Sequence, residues 1–290
     1  MTARTLAGCG EDRLIALLTR GWEGVGDDCA VIEAPERGRV WLWKTDAVVE
    51  GVHFTRATPA HLAGRKALAR CLSDLAAAGG TPVAALITLA APRRTPLARV
   101  RGLYAGIANL ARRTGVRLCG GETVSAAGLL VSVTVLGTVA RNRVVTRGGG
   151  RPGDVLCVTG TLGNTRAGHH LRFEPRLPEG RWLAQGRWVT AMMDLSDGLA
   201  SDLPRLARRS GTGWVLDRAA LPLRRGATTD GAERDGEDFE LLFAVPAHRL
   251  TELLKRWPFR TRITPVGFLA ERGRHEPPFT RHGFDHFGRA

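Results

Sequence analysis

Cysteine, tyrosine and lysine are scarce in this sequence of 290 residues, which has five cysteines, one tyrosine and three lysines. The cysteines are Cys9, Cys29, Cys71, Cys119 and Cys157, and no two form a C-x-x-C pair. Their odd number and wide spacing argue against a disulfide framework or a zinc site and favour a reducing cytoplasm. No apolar run approaches the roughly 20 residues that span a bilayer, so we expect no membrane helix. We also expect no signal peptide, because acidic residues precede a very short N-terminal apolar run.

Several common catalytic signatures are also missing. The sequence contains no G-x-x-x-x-G-K-[ST] loop, no protein-kinase motif set and no G-x-S-x-G elbow. No cysteine stands beside a candidate base in a recognisable motif, which disfavours nucleophilic catalysis by cysteine. An ATP-dependent enzyme with this sequence therefore belongs to neither of the two commonest kinds.

Charge is unbalanced, because 42 basic residues face 28 acidic ones and give a formal net charge of +14. The arginines are dispersed along the whole chain and come with no aromatic-rich binding motif, so nucleic-acid binding is disfavoured. It stays open as an alternative, which predicts an affinity that collapses with salt.

Length and pattern favour a two-domain α/β protein. Apolar periodicity predicts helices at EDRLIALLTRG, AHLAGRKALARCLSDLAAAGG and PLARVRGLYAGIANLARRTG. It predicts strands at RVWLWKTDAVVEGVHF, VAALITLA, VRLC, LLVSVTVLGTV, VLCVTG, FELLFAV and TPVGFLA. Glycine and proline break every pattern in RGGGRPGD, so we expect domains at 1–146 and 147–290.

Acidic residues recur where strands meet turns or where helices begin. They are Asp27, Asp28, Asp46, Asp74, Glu122, Asp194, Asp197, Glu237 and Asp238. Magnesium is commonly held by carboxylates together with substrate phosphate oxygens, and several converging carboxylates suit phosphoryl transfer. Taken one at a time, such residues also fit helix caps and Asx-turns, and the pattern does not establish that they converge.

A series of motifs carries a family resemblance. In chain order they are GVGDDCAV, KTDAVVEGVHF, ALARCLSDLAAAGGTP, GGETV, TRGGGRPGDVLCVTGTLG, MMDLSDGLASDL, GEDFELLF and GFDHF. The series resembles the thiamine-monophosphate kinase family, related to aminoimidazole ribonucleotide synthetase and selenophosphate synthetase, and covers nearly the whole chain. The resemblance implies a two-domain PurM-like α/β (α+β) architecture, with an N-terminal mixed sheet and helices forming a homodimer interface. It also implies direct transfer of the γ-phosphoryl group of ATP to thiamine monophosphate, with several Mg²⁺ ions.

The same resemblance implies roles for individual residues. The metal-binding positions are Asp28, Thr45, Asp46, Asp74, Glu122, Asp194 and Asp197. The ATP-binding positions are Gly121, Glu122, Arg147 and Ser196, and the substrate-binding positions are His53, Glu237 and Phe284. Each has a plainer alternative, such as a strand residue for Thr45, a helix cap for Ser196 and a core aromatic for Phe284.

The sequence departs from the family at several positions. Lys44 stands where the family commonly has a small residue. If this position contacts a metal only through its backbone carbonyl, the lysine is harmless; alternatively, its ammonium group replaces an ion. Glu122 stands where aspartate is usual. The link between TGTLG and MMDLSDG is short and Arg/Pro-rich, and Pro204 follows a helix start. Two rival functions therefore stay open: a sister-family enzyme with another acceptor, and a non-catalytic nucleotide or thiamine-phosphate binder.

Overall fold

The structure is a computed structural model that describes residues 11–20, 26–279 and 281–287. Cys9 lies outside the described residues, as do Gly21, where the first helix was expected to end, and Gly24 and Val25, which begin the GVGDDCAV motif. Among the residues that are described, no helix is long and apolar enough to cross a membrane.

Residues 26–140 form a five-stranded mixed sheet with two long helices on one face. After a short helix α1 (Glu11–Leu18), the elements are β1 (Ala30–Glu33), β2 (Arg39–Val49), α2 (Ala60–Ala77), β3 (Thr81–Ala91), α3 (Leu97–Thr114), β4 (Arg117–Ser125) and β5 (Leu130–Ala140). The strand order is β1-β2-β5-β3-β4; the pair β3–β4 is parallel and the other three pairs are antiparallel. The expected N-terminal mixed sheet is confirmed.

The second half of the chain forms a six-stranded sheet with flanking helices. Its elements are β6 (Val155–Thr159), α4 (His169–Arg172), α5 (Leu177–Gln185), β7 (Ala191–Asp194), α6 (Leu199–Ser210), β8 (Gly213–Leu216), α7 (Thr229–Arg234), β9 (Leu241–Val245), α8 (Leu250–Arg256), β10 (Ile263–Ala270) and β11 (His275–Glu276). The order is β11-β8-β10-β6-β9-β7, with β8–β11 parallel and the other pairs antiparallel. This half combines helices and strands as expected, and its mostly antiparallel sheet makes it α+β in type.

Helix α2 is the element that joins the two halves. Of its 18 residues, 14 are buried, because one side packs on β2 and β5 while the other packs on α5 and β7. Helix α5 approaches closely at Gly180, where an added Cβ would lie 2.0 Å from the carbonyl oxygen of Ala76. The helix ends before Gly79, which takes a φ of 72°. The last turn of α2 is therefore fixed between the two sheets.

Two strands differ from the sequence prediction. Strand β4 does not stop at VRLC but continues through GGETV to Ser125. Gly121 permits this, because a Cβ there would lie 1.7 Å from the carbonyl oxygen of Ile87 on β3. Strand β2 was expected to run through GVHF to Phe54 but ends at Val49.

The Arg/Pro-rich link before β7 is not without helix, because α4 and α5 lie within it. The short helix α5 buries Leu177, Leu183 and Ala184. These few apolar residues form a pattern too short to be recognised as a helix among arginines and prolines. Pro204 lies inside α6, which begins at Leu199 and does not start late. The shortened region thus retains the helix that packs on α2.

The face of the first sheet away from the helices is open and apolar. Trp43 on β2 is 49% exposed and Leu86 on β3 is 50% exposed. Every residue of β4 is exposed. Together with Leu136 and Cys119, the two large side chains line a shallow apolar groove on this face. We call this surface the open face.

Candidate active site

Three carboxylates from distant parts of the chain meet between the two sheets. Asp28 lies in the turn before β1, Asp74 in the last turn of α2, and Asp194 at the end of β7. One carboxylate oxygen of each lies within 4.8 Å of the others, and all three residues are buried. We call these residues the acidic trio. Oxygen-only donors of this kind suit a hard divalent cation such as Mg²⁺.

Two basic side chains contact the trio. The Lys44 ammonium group lies 2.8 Å from Asp74 Oδ1 and 3.7 Å from Asp46 Oδ1. The Arg147 guanidinium group donates to Asp28 Oδ1 through Nη2 at 2.8 Å and through Nε at 3.2 Å. Buried carboxylates are costly without such partners, so these cations account for much of the charge balance.

Asp27, beside Asp28, has a structural role. Its Oδ1 accepts a hydrogen bond of 2.9 Å from the backbone N–H of Arg147, and its Oδ2 lies 3.3 Å from Arg209 Nη2. The pair Asp27–Asp28 thereby fixes both the backbone and the side chain of Arg147. Of the two acids, Asp28 is the one that belongs to the trio.

Burial and mutual repulsion show in the acid–base behaviour of the trio. Burial, reinforced by the charge of Asp28, raises the pKa of Asp194 to about 7. Burial alone would lower the pKa of Lys44, but the charges of Asp74 and Asp46 outweigh it and hold that pKa well above its usual value. The trio therefore attracts further positive charge while Lys44 stays protonated.

Asp197 and Ser196 lie apart from the trio, in the turn before α6. Arg205 pairs with Asp197 and also lies 3.0 Å from Asp202 Oδ1. Asp202 is completely buried, and its Oδ2 accepts from the Asp197 backbone N–H at 3.0 Å. Sequence reasoning missed Asp202 and Arg205; their i,i+3 spacing in the first turns of α6 was the available signal.

A cleft beside the trio contains the residues expected at the acceptor. Its lining residues are Val52, His53, Arg70, Arg166, Ser196, Asp197, Asp235, Glu237, Phe239, Phe284 and His286. We call this the acceptor cleft. The three predicted substrate-binding residues His53, Glu237 and Phe284 thus come together from three separate segments. The Phe284 backbone N–H donates to the Asp197 carbonyl oxygen at 2.9 Å, which holds the C-terminal segment against the turn before α6.

His53 is neutral in this cleft. Burial, with the charges of Arg70 and Lys66, lowers its pKa to about 3. Its Nδ1 accepts a hydrogen bond of 3.1 Å from the Val49 backbone N–H. Its ring lies 5.3 Å from that of His286, centroid to centroid. A neutral imidazole with Nδ1 occupied leaves Nε2 as a hydrogen-bond donor.

Lys66 is a residue that sequence reasoning missed. Its ammonium group is completely buried and lies 2.6 Å from the His53 carbonyl oxygen and 2.5 Å from Glu237 Oε1. It therefore connects two residues of the acceptor cleft that come from different halves of the chain. Lys66, Arg70 and Asp74 are spaced four apart on α2, so they share one face of the helix.

Arg70 links the acceptor cleft to the trio. Burial alone would lower the pKa of its guanidinium group, and the charges of Asp46, Glu237 and Asp74 outweigh it and raise that pKa. The same side chain lines the cleft and donates to the Ala47 carbonyl oxygen at 3.3 Å. One face of α2 therefore runs from the acceptor cleft to the acidic trio.

Thr45, Gly121 and Glu122 are further predicted residues that do not reach the trio within the chain. The Thr45 hydroxyl faces away from Asp46 and contacts Thr134 Oγ1 at 3.0 Å. Gly121 and Glu122 lie on β4, separated from Asp46 by β5 and β3, which is about 14 Å at ordinary strand spacing. They line a different cleft together with Tyr104 of α3.

Known protein families match both halves of the chain. The family described as AIR synthase related protein, N-terminal domain, matches residues 26–139, and its C-terminal counterpart matches residues 151–276. A protein of Rhodopirellula baltica named thiamine-monophosphate kinase is 36% identical, over 86% of this chain and 84% of the relative. One of the same name from Synechococcus elongatus is 33% identical over 99% of each.

Solved structures show the same fold. A structure described as AaThiL complexed with AMPPCP and TMP matches with a TM-score of 0.88 and 29% identity, over 99% of this chain and 100% of the other. The thiamine-monophosphate kinase of Stenotrophomonas maltophilia matches with a TM-score of 0.76 and 29% identity, over 94% of this chain and 96% of the other. The family matches, the extent of the relatives and the two-domain fold lead to one conclusion: the chain belongs to the thiamine-monophosphate kinase family, within the AIR synthase related proteins.

Proposed function

We propose that this protein transfers the γ-phosphoryl group of ATP to the phosphate of thiamine monophosphate and releases thiamine diphosphate and ADP. The observation that carries the proposal is the single face of α2, which connects the buried acidic trio to a cleft lined by His53, Glu237 and Phe284. Relatives that bear this activity in their names match most of the chain. The described cysteines are unpaired, in keeping with our proposal of a cytoplasmic enzyme.

Mg²⁺ is the proposed metal, held by Asp28, Asp74 and Asp194. Two phosphate chains that meet at one site repel each other, and divalent ions on a carboxylate cluster reduce that repulsion and align the reacting oxygens. Arg147 adds a fixed positive charge beside Asp28. Asp197 is proposed to bind a further ion, Asp46 to border the metal site beside Lys44, Thr45 to take part through its backbone, and Ser196 to contact ATP. We propose direct in-line transfer between the two phosphates, as the family resemblance implies.

The acceptor cleft is proposed to bind thiamine monophosphate. Phe284 offers an aromatic face to the cationic heterocycle, and Glu237 offers a negative charge. The Nε2 of neutral His53 is available to donate to a phosphate oxygen. Arg70 and Arg166 supply positive charge on the same cleft, where the substrate phosphate has to approach the trio.

A homodimer is the proposed assembly. The open face exposes Trp43 and Leu86, and a second copy of the chain would cover this apolar surface. We propose that Gly121 and Glu122 bind ATP in such a dimer, with Tyr104 beside them as an aromatic platform for the base. Sedimentation velocity tests the assembly: Trp43→Arg is expected to yield monomers, whereas Leu254→Arg on exposed α8 is expected to remain dimeric. A monomeric wild type contradicts this proposal.

The activity test measures ADP and thiamine diphosphate from purified protein with ATP, Mg²⁺ and thiamine monophosphate. We expect the two products in equal amounts, and none from Asp194→Asn, which is expected to retain the fold and to lack one carboxylate of the trio. ADP formation only with a different phosphorylated acceptor would favour a sister-family activity. Tight binding of both substrates without product would indicate a non-catalytic binder.

A further inference from the structure

Lys44 occupies a position between two carboxylates that belong to different elements. It lies two residues before Asp46 on β2, so both side chains point to the same face of the sheet, toward the last turn of α2. There its ammonium group lies 2.8 Å from Asp74 Oδ1 and 3.7 Å from Asp46 Oδ1. The side chain reaches this position from within a paired strand and is only 23% exposed.

The charges around this point show what the ammonium group does. Four carboxylates lie together here, those of the acidic trio and Asp46, and only Arg147 and Lys44 form ion pairs with them in the described chain. An ammonium group is a compact point charge with three donors, and it can bridge carboxylates much as a small cation does. Lys44 and Arg147 thus offset part of the negative charge of this group, and the remaining charge is available to a divalent ion.

We propose that Lys44 is a resident cation that fills the position between Asp46 and Asp74, so that this chain binds one divalent ion fewer than it would with a small residue there. The inference rests on the metal site in the proposed function. Asp28, Asp74 and Asp194 are then the residues that would hold a divalent ion, and Asp46 would pair with Lys44. Lys44 also holds the acids together when no metal is bound, because it offsets their repulsion permanently.

The test uses Mn²⁺ alone as the probe on the full chain. Equilibrium dialysis and electron paramagnetic resonance count bound ions in the wild type, Lys44→Ser, Lys44→Met, Lys44→Arg and the control Lys255→Met, whose lysine is exposed on α8. We expect Lys44→Ser to bind one more Mn²⁺ per chain than the wild type. Lys44→Arg, which retains the charge, is expected to bind the wild-type number.

A second measurement separates charge from space. In EDTA, Lys44→Met and Lys44→Ser are expected to melt several degrees below Lys255→Met, and saturating Mn²⁺ is expected to restore Lys44→Ser but not Lys44→Met, which leaves no room for the ion. Equal ion counts in Lys44→Ser and the wild type, or an additional ion in Lys44→Arg, would overturn the proposal. If Lys44→Met does not fold, the Ser and Arg variants decide through their ion counts.

These outcomes are distinct from failure of the proposed function. If Asp194→Asn binds as many Mn²⁺ ions as the wild type, the metal site itself is wrong. The melting temperatures in EDTA involve neither nucleotide nor turnover, so a normal melting temperature for Lys44→Met and Lys44→Ser refutes the role of Lys44 even in an active kinase.

Discussion

The acidic trio and the acceptor cleft lie at two ends of one helix face, yet they differ in burial, charge and the kinds of side chain they contain. Asp74 and Lys66 are eight residues apart on α2, about 12 Å along the helix axis. The trio is buried, and three carboxylates there are offset by Lys44 and Arg147. The cleft is partly open and is lined by a neutral histidine and aromatic rings, and the buried Lys66 contacts two of its lining residues.

The difference indicates which kind of recognition each end performs. A site of concentrated negative charge binds the cations that neutralise it, so a change of one charge there alters the reaction itself. A cleft of aromatic rings and hydrogen-bonding groups binds by contact, so a change there alters how well the substrate is held. Substitutions at the two ends of α2 are therefore expected to affect different kinetic constants.

Asp74→Asn should cause the largest effect. It removes one charge of the trio and leaves Lys44 with an ion pair only to Asp46, at the longer distance of 3.7 Å. We expect turnover to fall about 10³-fold or more, which corresponds to about 4 kcal/mol of lost transition-state stabilisation, while KM for thiamine monophosphate changes little. Initial-rate kinetics test this, with Asp230→Asn on exposed α7 as the control. Turnover within tenfold of the wild type would contradict the metal assignment.

Lys66→Met should alter KM for thiamine monophosphate, the constant that Asp74→Asn leaves nearly unchanged. The substitution removes the buried contacts to the His53 carbonyl and to Glu237, so Glu237 is no longer fixed. Hydrogen bonds to charged groups are worth about 1.5–3 kcal/mol, so we expect KM for thiamine monophosphate to rise roughly 10- to 100-fold with kcat changed less. Lys255→Met is the matched control. A fall in kcat with unchanged KM would show that the two ends of α2 do not act separately.

The sequence predicted the acids of this site better than it predicted their partners. Asp28, Asp74 and Asp194 stand out because they interrupt apolar segments beside glycines, which a sequence pattern records directly. Lys66 and Arg205 do not stand out, because an isolated lysine or arginine on a helix is usually solvated. Only the fold shows that Lys66 reaches a carboxylate 171 positions away in the chain, and the i,i+4 spacing of Lys66, Arg70 and Asp74 was its one local signal.

The fold was predictable to a similar degree. Long periodic helices such as α2 and α3 and the alternating strand β5 follow from apolar spacing. Helix α5 was missed because its nine residues carry too short a pattern. Strand β4 was shortened in the prediction because glycines usually end strands, whereas here they permit close pairing with β3.

His53 should make the free energy of unfolding of the protein sensitive to acid. Its pKa of about 3 in the folded protein lies below the unfolded value of about 6.5, so the unfolded state binds the proton more readily between these values. The stability contributed by neutral His53 is therefore full above pH 6.5 and is lost as the pH falls toward 3, by about 2 kcal/mol at pH 5.

Urea unfolding of the wild type and His53→Asn at pH 7 and pH 5 measures this contribution. Asparagine retains an acceptor for the Val49 N–H but does not titrate. We expect the loss of stability between the two pH values to be about 2 kcal/mol smaller in His53→Asn, since His169 and the carboxyl groups titrate alike in both proteins. An equal loss in the two proteins would show that His53 is protonated normally in the cleft.

Glu122 belongs to neither end of α2 within one chain, so it offers the most specific test of how the site is completed. If Glu122 of one copy serves the trio of the other, a dimer that combines Asp74→Asn with Glu122→Gln contains one site with both changes and one site with neither. Random mixing makes half of the dimers mixed, so co-expression of the two variants should restore about a quarter of wild-type turnover. If Glu122 serves its own chain, every site carries one defect and the mixture is as inactive as its parents. Two differently tagged chains, co-purified and assayed beside each parent, distinguish these arrangements.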